Sequence, residues 1–202
     1  MKTFEPGWQH QRPNQDAVRT MWSKIRFENI PITHPEILHF IHDLKVAHPR
    51  GGALLYHFQV AENQTFDWFA YNNRLAEIEF ASRVLSSGDV ISAAAELNID
   101  KRLLSIESVI HLPDSFDMAG RLARHLYHGG PHSDQSLPAR EVLQTAERFI
   151  DQIIQNRYDE VSVMSFETAW ADWFYDEYWD MTYLLYDRSQ RQIWLLCLTD
   201  SQ

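Results

Sequence analysis

The chain has 202 residues, is 45% hydrophobic and 13% aromatic, and carries a formal net charge of -10. This length fits one domain or at most two small ones, and the apolar content excludes disorder over the whole chain. The acidic balance speaks against nucleic acid and against an anionic membrane surface, both of which select basic footprints. It suits a basic partner, although acidity that serves solubility is the commoner explanation.

Residues 1–13 read as irregular, broken by Pro6, Gly7 and Pro13. The segment Met1 to Trp8 has no apolar h-region, so it does not read as a signal peptide. Asn14 is placed to cap a helix carrying Val18, Met21, Trp22 and Ile25 at helical spacing. Thr33 is the expected cap of the next helix, with Pro35 early and Ile37, Leu38, Ile41 and Leu44 as its apolar stripe. Pro49-Arg50-Gly51-Gly52 breaks the chain before a strand from Ala53 to Val60.

Thr65 to Ser86 then reads as one long helix stopped by Gly88, followed by a short helix within Asp89 to Leu97. A period-two pattern predicts a strand near 104–110. Asp114 or Ser115 opens a helix that Gly129-Gly130-Pro131 ends. Pro138 starts a long amphipathic helix reaching Asn156. Strands are expected near 160–166, 180–186 and 191–199, the last two forming a hairpin. The reading is a single α+β domain, 1–202, with a mixed or mostly antiparallel sheet, helices packed on it and the C-terminal hairpin in the core. The loop at 129–138 is its one weak seam.

Cys197 is the single cysteine, which excludes an internal disulfide. It sits in the apolar run Ile193 to Leu198 and reads as a small buried hydrophobe. No stretch approaches the roughly 18 apolar residues of a membrane span, so no membrane partner is expected and the cytoplasm is the expected location.

The densest chemistry lies at 169–180, where six aromatics and four acids share twelve positions. Rings seek burial and unpaired carboxylates resist it, so the segment should cross the surface with its acids at the rim. Trp170, Asp172, Trp173, Asp176, Glu177, Trp179 and Asp180 are the candidate binding residues, because aromatics dominate hot spots and acids select a basic partner. Rings that simply fill the core are the plainer account of the same pattern.

His125, His128 and His132 are the metal candidates, with Asp134 as an added oxygen donor. The first two are three apart on a predicted helix, and three ligands plus water make a catalytic zinc pattern. Their spacing matches no established motif, and histidines also suit a helix C-terminus. The acids Asp67, Glu77 and Glu79 are weighed for acid–base work and read more simply as solvent charge or ion pairs. His39 and His42, also three apart, read as a solvated helix face. No G-x-S-x-G, phosphate loop or cofactor motif is present, so no cofactor is expected.

Trp173-Phe174, Trp179-Asp180, Thr182, Arg191, Trp194, Leu196-Cys197 and Thr199-Asp200 together resemble the C-terminal signature of a family of small uncharacterised bacterial proteins. Leu126-Tyr127-His128-Gly129-Gly130, Phe149-Ile150-Asp151 and Arg157-Tyr158-Asp159 fit the same pattern in order, so the resemblance covers roughly residues 115–200. It implies no established activity and assigns no catalytic residue. In composition alone, the chain is similar to acidic, aromatic-rich immunity proteins that block toxins. The expected function is therefore a non-enzymatic protein-binding module, of immunity type, directed at a basic toxin or other basic partner. The alternative is a small hydrolase or metal-dependent enzyme using a histidine or carboxylate cluster. A homo-oligomer stays open as a third arrangement.

Overall fold

A computed structural model describes residues 11–100, 106, 108–134 and 137–202. Among these residues, six strands form one antiparallel sheet: β1 (Phe27–Asn29), β2 (Gly52–Val60), β3 (Ile110–Leu112), β4 (Val161–Phe166), β5 (Met181–Asp187) and β6 (Gln192–Thr199). Their order across the sheet is β1-β2-β6-β5-β4-β3. The expected α+β class with an antiparallel sheet is what the chain adopts.

The hairpin β5–β6 occupies the middle of the sheet, with Leu184 opposite Leu195 and Thr182 opposite Cys197. Side chains on a strand alternate between faces. Ile193, Leu195 and Cys197 accordingly enter one core, and Trp194, Leu196 and Leu198 the other. This two-sided burial explains why β6 reads as an unbroken apolar run rather than an alternating one.

Helices cover both faces. On one lie α1 (Gln15–Lys24), α3 (Gln64–Tyr71), α4 (Phe80–Leu85) and α5 (Gly88–Ala93), with Phe66, Phe80 and Tyr186 in mutual ring contact. On the other lie α2 (Pro35–Ala47), α6 (Met118–His128) and α7 (Ala139–Ile154), joined by the stacked pair Phe40 and Phe149. Among the described residues, no helix is long and apolar enough to cross a membrane.

Local signals account for most boundaries. The Asn14 side chain accepts from the Ala17 N–H at 2.9 Å and starts α1 as expected. Three expectations are corrected. The cap of α2 is His34 rather than Thr33, with no side-chain bond, because Pro35 takes the first helical position, where its fixed φ suits the helix, and the residue before it becomes the cap.

The single helix expected over 65–86 is three pieces: α3, a 3-10 turn at Leu75–Ile78, and α4. Asn73 and Glu79 adopt left-handed conformations at the breaks, each with φ of 54°. Folding back there lets Phe69, Leu75, Ile78 and Phe80 all reach one core, which a straight helix could not do. Finally, β1 was not expected, and the described strand in the region of the one expected near 104–110 is β3, Ile110–Leu112. Residues 101–105 and 107, on which most of that expected strand falls, lie outside the described residues.

Candidate functional site

The segment 167–180 leaves β4 and returns as β5, crossing the open end of the hairpin. Two rings anchor it. Trp170 is 3% exposed, and its indole N–H donates to the Thr182 hydroxyl at 2.8 Å. Phe174 packs beside it in the same core, with Trp173 half-buried against Phe174.

The second anchor is polar. Asp180 is 1% exposed and accepts from the Thr199 hydroxyl and from the Glu177 N–H. Burial pushes its carboxyl up from the ordinary range, against those bonds and the backbone N–H groups of Asp176 and Tyr175. The turn it gathers includes Asp176 in a left-handed conformation, φ 60°.

The seven candidate binding residues therefore divide. Trp170 and Asp180 are internal anchors and present nothing to a partner. Trp173 is half-buried in the core edge. Asp172 is exposed and accepts from the Asn98 amide, Asp176 is exposed, and Glu177 and Trp179 are half-buried. Two rings outside the expected set complete the surface: Tyr175 at 51% and Tyr178 at 87% exposure. Neither could be told from Trp173 by sequence, since all are aromatics in one aperiodic stretch.

Beside this segment, α6 and the end of α2 enclose a cleft of about 580 Å³. Its construction follows from two glycines. Gly129 has φ of 58° and lies so close to the Ala47 carbonyl that a side chain would overlap it. The Gly130 N–H then donates to that same carbonyl at 2.8 Å. This stitch fixes the last turn of α6 against the last turn of α2. It brings His48, the residue after α2, to the cleft that His125 and His128 also line.

His125 Nε2 and the Tyr183 hydroxyl share a hydrogen bond of 2.9 Å across the cleft floor. Burial holds the His125 imidazole down at about 4, and the neighbouring His48, Arg124 and His128 lower it further. Burial also pushes the Tyr183 hydroxyl up to about 12. At neutral pH both groups are therefore uncharged.

His48 is 2% exposed, and neither ring nitrogen makes a well-formed hydrogen bond, although the His125 backbone acts on the ring. Burial lowers its pKa, while the charge of Asp200 pulls the other way. Asp200 is itself fully buried. One of its oxygens accepts from the backbone of Arg50 and Ser201, and the other has no partner. Arg121 and Arg124 stand on one wall of the cleft, with Glu167, Tyr178 and Trp179 also lining it.

The other sequence candidates are placed apart. His125 and His128 share the cleft, but exposed His132 does not line it, and Asp134 is exposed. Among the described residues, no group of three or more His, Cys, Asp or Glu is arranged to hold a metal ion. The proposed triple is thus not one site, because the Gly129-Gly130 bend turns the chain away before His132. Asp67 is paired with Arg191, Glu77 with Arg12 and Arg74, and Glu79 with Arg83. His39 is exposed and faces Asp43 one helical turn on. Cys197 is fully buried, and burial drives its thiol far above the ordinary range, which leaves no thiolate for chemistry.

Sequence reasoning missed His48, Arg121, Arg124 and Tyr183. The first three belong to helical segments with ordinary patterns, and only the tertiary stitch at Ala47 joins them. No protein-family model matches the chain, and no curated protein matches it either.

Proposed function

We propose that this chain is a non-enzymatic protein-binding module of immunity type, acting in the cytoplasm on a basic toxin or other basic partner. The observation that carries the proposal is Tyr178, 87% exposed on a segment whose two ends are held by buried anchors. A large ring held out on an ordered backbone is what binding hot spots use, since little freedom remains to be lost on docking. Tyr175, Asp172 and Asp176 stand exposed in the same segment, so the surface joins aromatic area to negative charge. With a net charge of -10, the chain would steer a basic partner toward it.

The test is affinity capture with the intact chain against a Tyr178→Ser, Asp176→Lys double variant. Both positions are exposed, so the variant is expected to fold normally. The expected result is a basic protein retained by the wild type, released as salt is raised, and not retained by the variant. Equal retention by the variant, self-association alone, or no partner overturns the proposal.

A second reading, a small hydrolase, draws support from the cleft. Neutral imidazoles such as His48 and His125 can each offer one donor and one acceptor for acid–base work. Turnover of a panel of ester, amide and phosphoester substrates by wild type but not by His125→Gln would favour this reading over the first.

A further inference from the structure

Polar groups buried without partners are rare, because each costs free energy that folding must offset elsewhere. His48 comes close to such a group: neither sealed ring nitrogen makes a well-formed hydrogen bond, only the His125 backbone and the Asp200 charge act on it, and the residue lines a cleft. It is the cleft's second peculiarity that gives this one meaning. Arg124, on α6, lines the same cleft, is exposed, and makes no ion pair with any described residue. Its neighbour Arg121 is held by Asp117 at 2.6 Å. In a chain with ten more acidic than basic residues, 28 against 18, an uncommitted guanidinium over a cleft is conspicuous.

We propose that this cleft binds a small organic oxyanion, a phosphate or carboxylate carried on a flat apolar body. Arg124 meets the charge, Trp179 packs against the body, and His48 and His125 line the site beneath them.

The chemistry of each wall agrees. A guanidinium presents planar N–H pairs that match either oxyanion. An anion in the cleft favours the protonated ring of His48 through its field, without touching the sealed nitrogens. Asp200, within electrostatic reach behind His48, would further stabilise that protonated form. Trp179 and Met181 supply the apolar side. Glu167 stands in the same cleft and repels anions, so the oxyanion is expected at the Arg124 side. The volume, about 580 Å³, is in the range of small-molecule sites. This inference does not rest on the protein-binding surface at Tyr175 and Tyr178.

The probe is phenyl phosphate, titrated into the full-length chain while the histidine ring signals are followed by NMR. Expected are saturable shifts at His48 and His125, with His39 and His42 unmoved on their exposed helix face. Arg124→Gln, an exposed change that should leave the fold intact, is expected to weaken binding about tenfold, the loss of one charge-assisted contact. Inorganic phosphate should bind more weakly than phenyl phosphate at the same rings, and benzoate should compete. Absence of saturable shifts, affinity unchanged in Arg124→Gln, or equally tight binding of neutral phenol would each overturn the assignment.

Discussion

Arg191 grips Asp67 through two parallel hydrogen bonds, Nε to Oδ1 at 2.9 Å and Nη2 to Oδ2 at 3.0 Å. The pair ties the turn of the β5–β6 hairpin to α3, 124 residues away in sequence. Burial raises the Asp67 pKa in spite of the guanidinium, so desolvation outweighs the pairing. Removing Asp67 takes the close carboxylate from Arg191 and leaves it the more distant Glu62, at 3.8 Å. Asp67→Ala is expected to cost about 3 kcal/mol, read as a lower urea midpoint. The double change Asp67→Leu, Arg191→Met should cost less than the single one, and an equal or larger loss would show that the pair stabilises in its own right.

Asp180 gathers the 175–177 turn onto Thr199, so its loss should loosen that turn before the rest of the fold. Asp180→Ala leaves the Thr199 hydroxyl and the turn's N–H groups without their acceptor, an expected loss of about 2–3 kcal/mol. Hydrogen exchange should quicken at Tyr175, Asp176 and Glu177 while β5 and β6 stay protected. Uniform acceleration would mean that the segment and the sheet open together.

Acid should destabilise the fold through its buried histidines. The folded pKa of His125 is about 4 and that of His48 is also lowered, against 6.5 for the ordinary group. The unfolded chain therefore takes up protons first. The stabilising difference is complete above pH 6.5 and is lost as pH falls toward 4, at about 1.4 kcal/mol per unit of depression for a fully sequestered ring. Asp67 and Asp180, raised by burial, act oppositely, and their cost is relieved as pH falls toward 3.8. The urea midpoint at pH 5 should lie below that at pH 7.5, and His125→Gln should narrow the gap. A pH-independent midpoint contradicts this account.

Two glycines should respond in opposite directions to the same change. A Cβ at Gly130 would overlap the Asp200 carboxylate, which is locked by the Arg50 and Ser201 N–H groups. Gly130→Ala is expected to cost about 2–3 kcal/mol. Gly120, exposed within α6, has open space around it. Gly120→Ala should raise stability by about 0.5–1 kcal/mol, the ordinary helical difference. Thermal melts of the two variants decide both.

Cys197 should be silent in the folded protein. Its sulfur is fully buried in β6, so a thiol reagent reaches it only after the sheet opens. Labelling with Ellman's reagent is expected to follow global unfolding in urea, and rapid labelling in buffer would contradict the central place of β6.

The parts of the fold written in the sequence are those where one local signal suffices. The run Ile193 to Leu198 can only be a strand covered on both sides, and Asn14 and Gly129 mark helix ends by their own chemistry. Other features were decided at a distance. Glu79 has no intrinsic reason to turn left-handed; it does so because Leu75 and Phe80 must both reach the core. Trp170 and Tyr178 carry comparable rings eight positions apart, yet one is sealed in and the other nearly bare. Only the partners, Thr182 for Trp170 and none of the core for Tyr178, separate them. The cleft was the least legible, since it depends on Ala47 meeting Gly130 between two helices far apart in the chain.

The short reach of β1 has a consequence of its own. It pairs only with Phe58 to Val60, so among the described strands none lies beside the outer edge of β2 from Gly52 to Tyr56. An edge without a neighbouring strand is one on which another copy's backbone could add, the usual start of ordered aggregation. A crowded solution is therefore expected to associate there first. Light scattered by samples of rising concentration is the measurement that checks it.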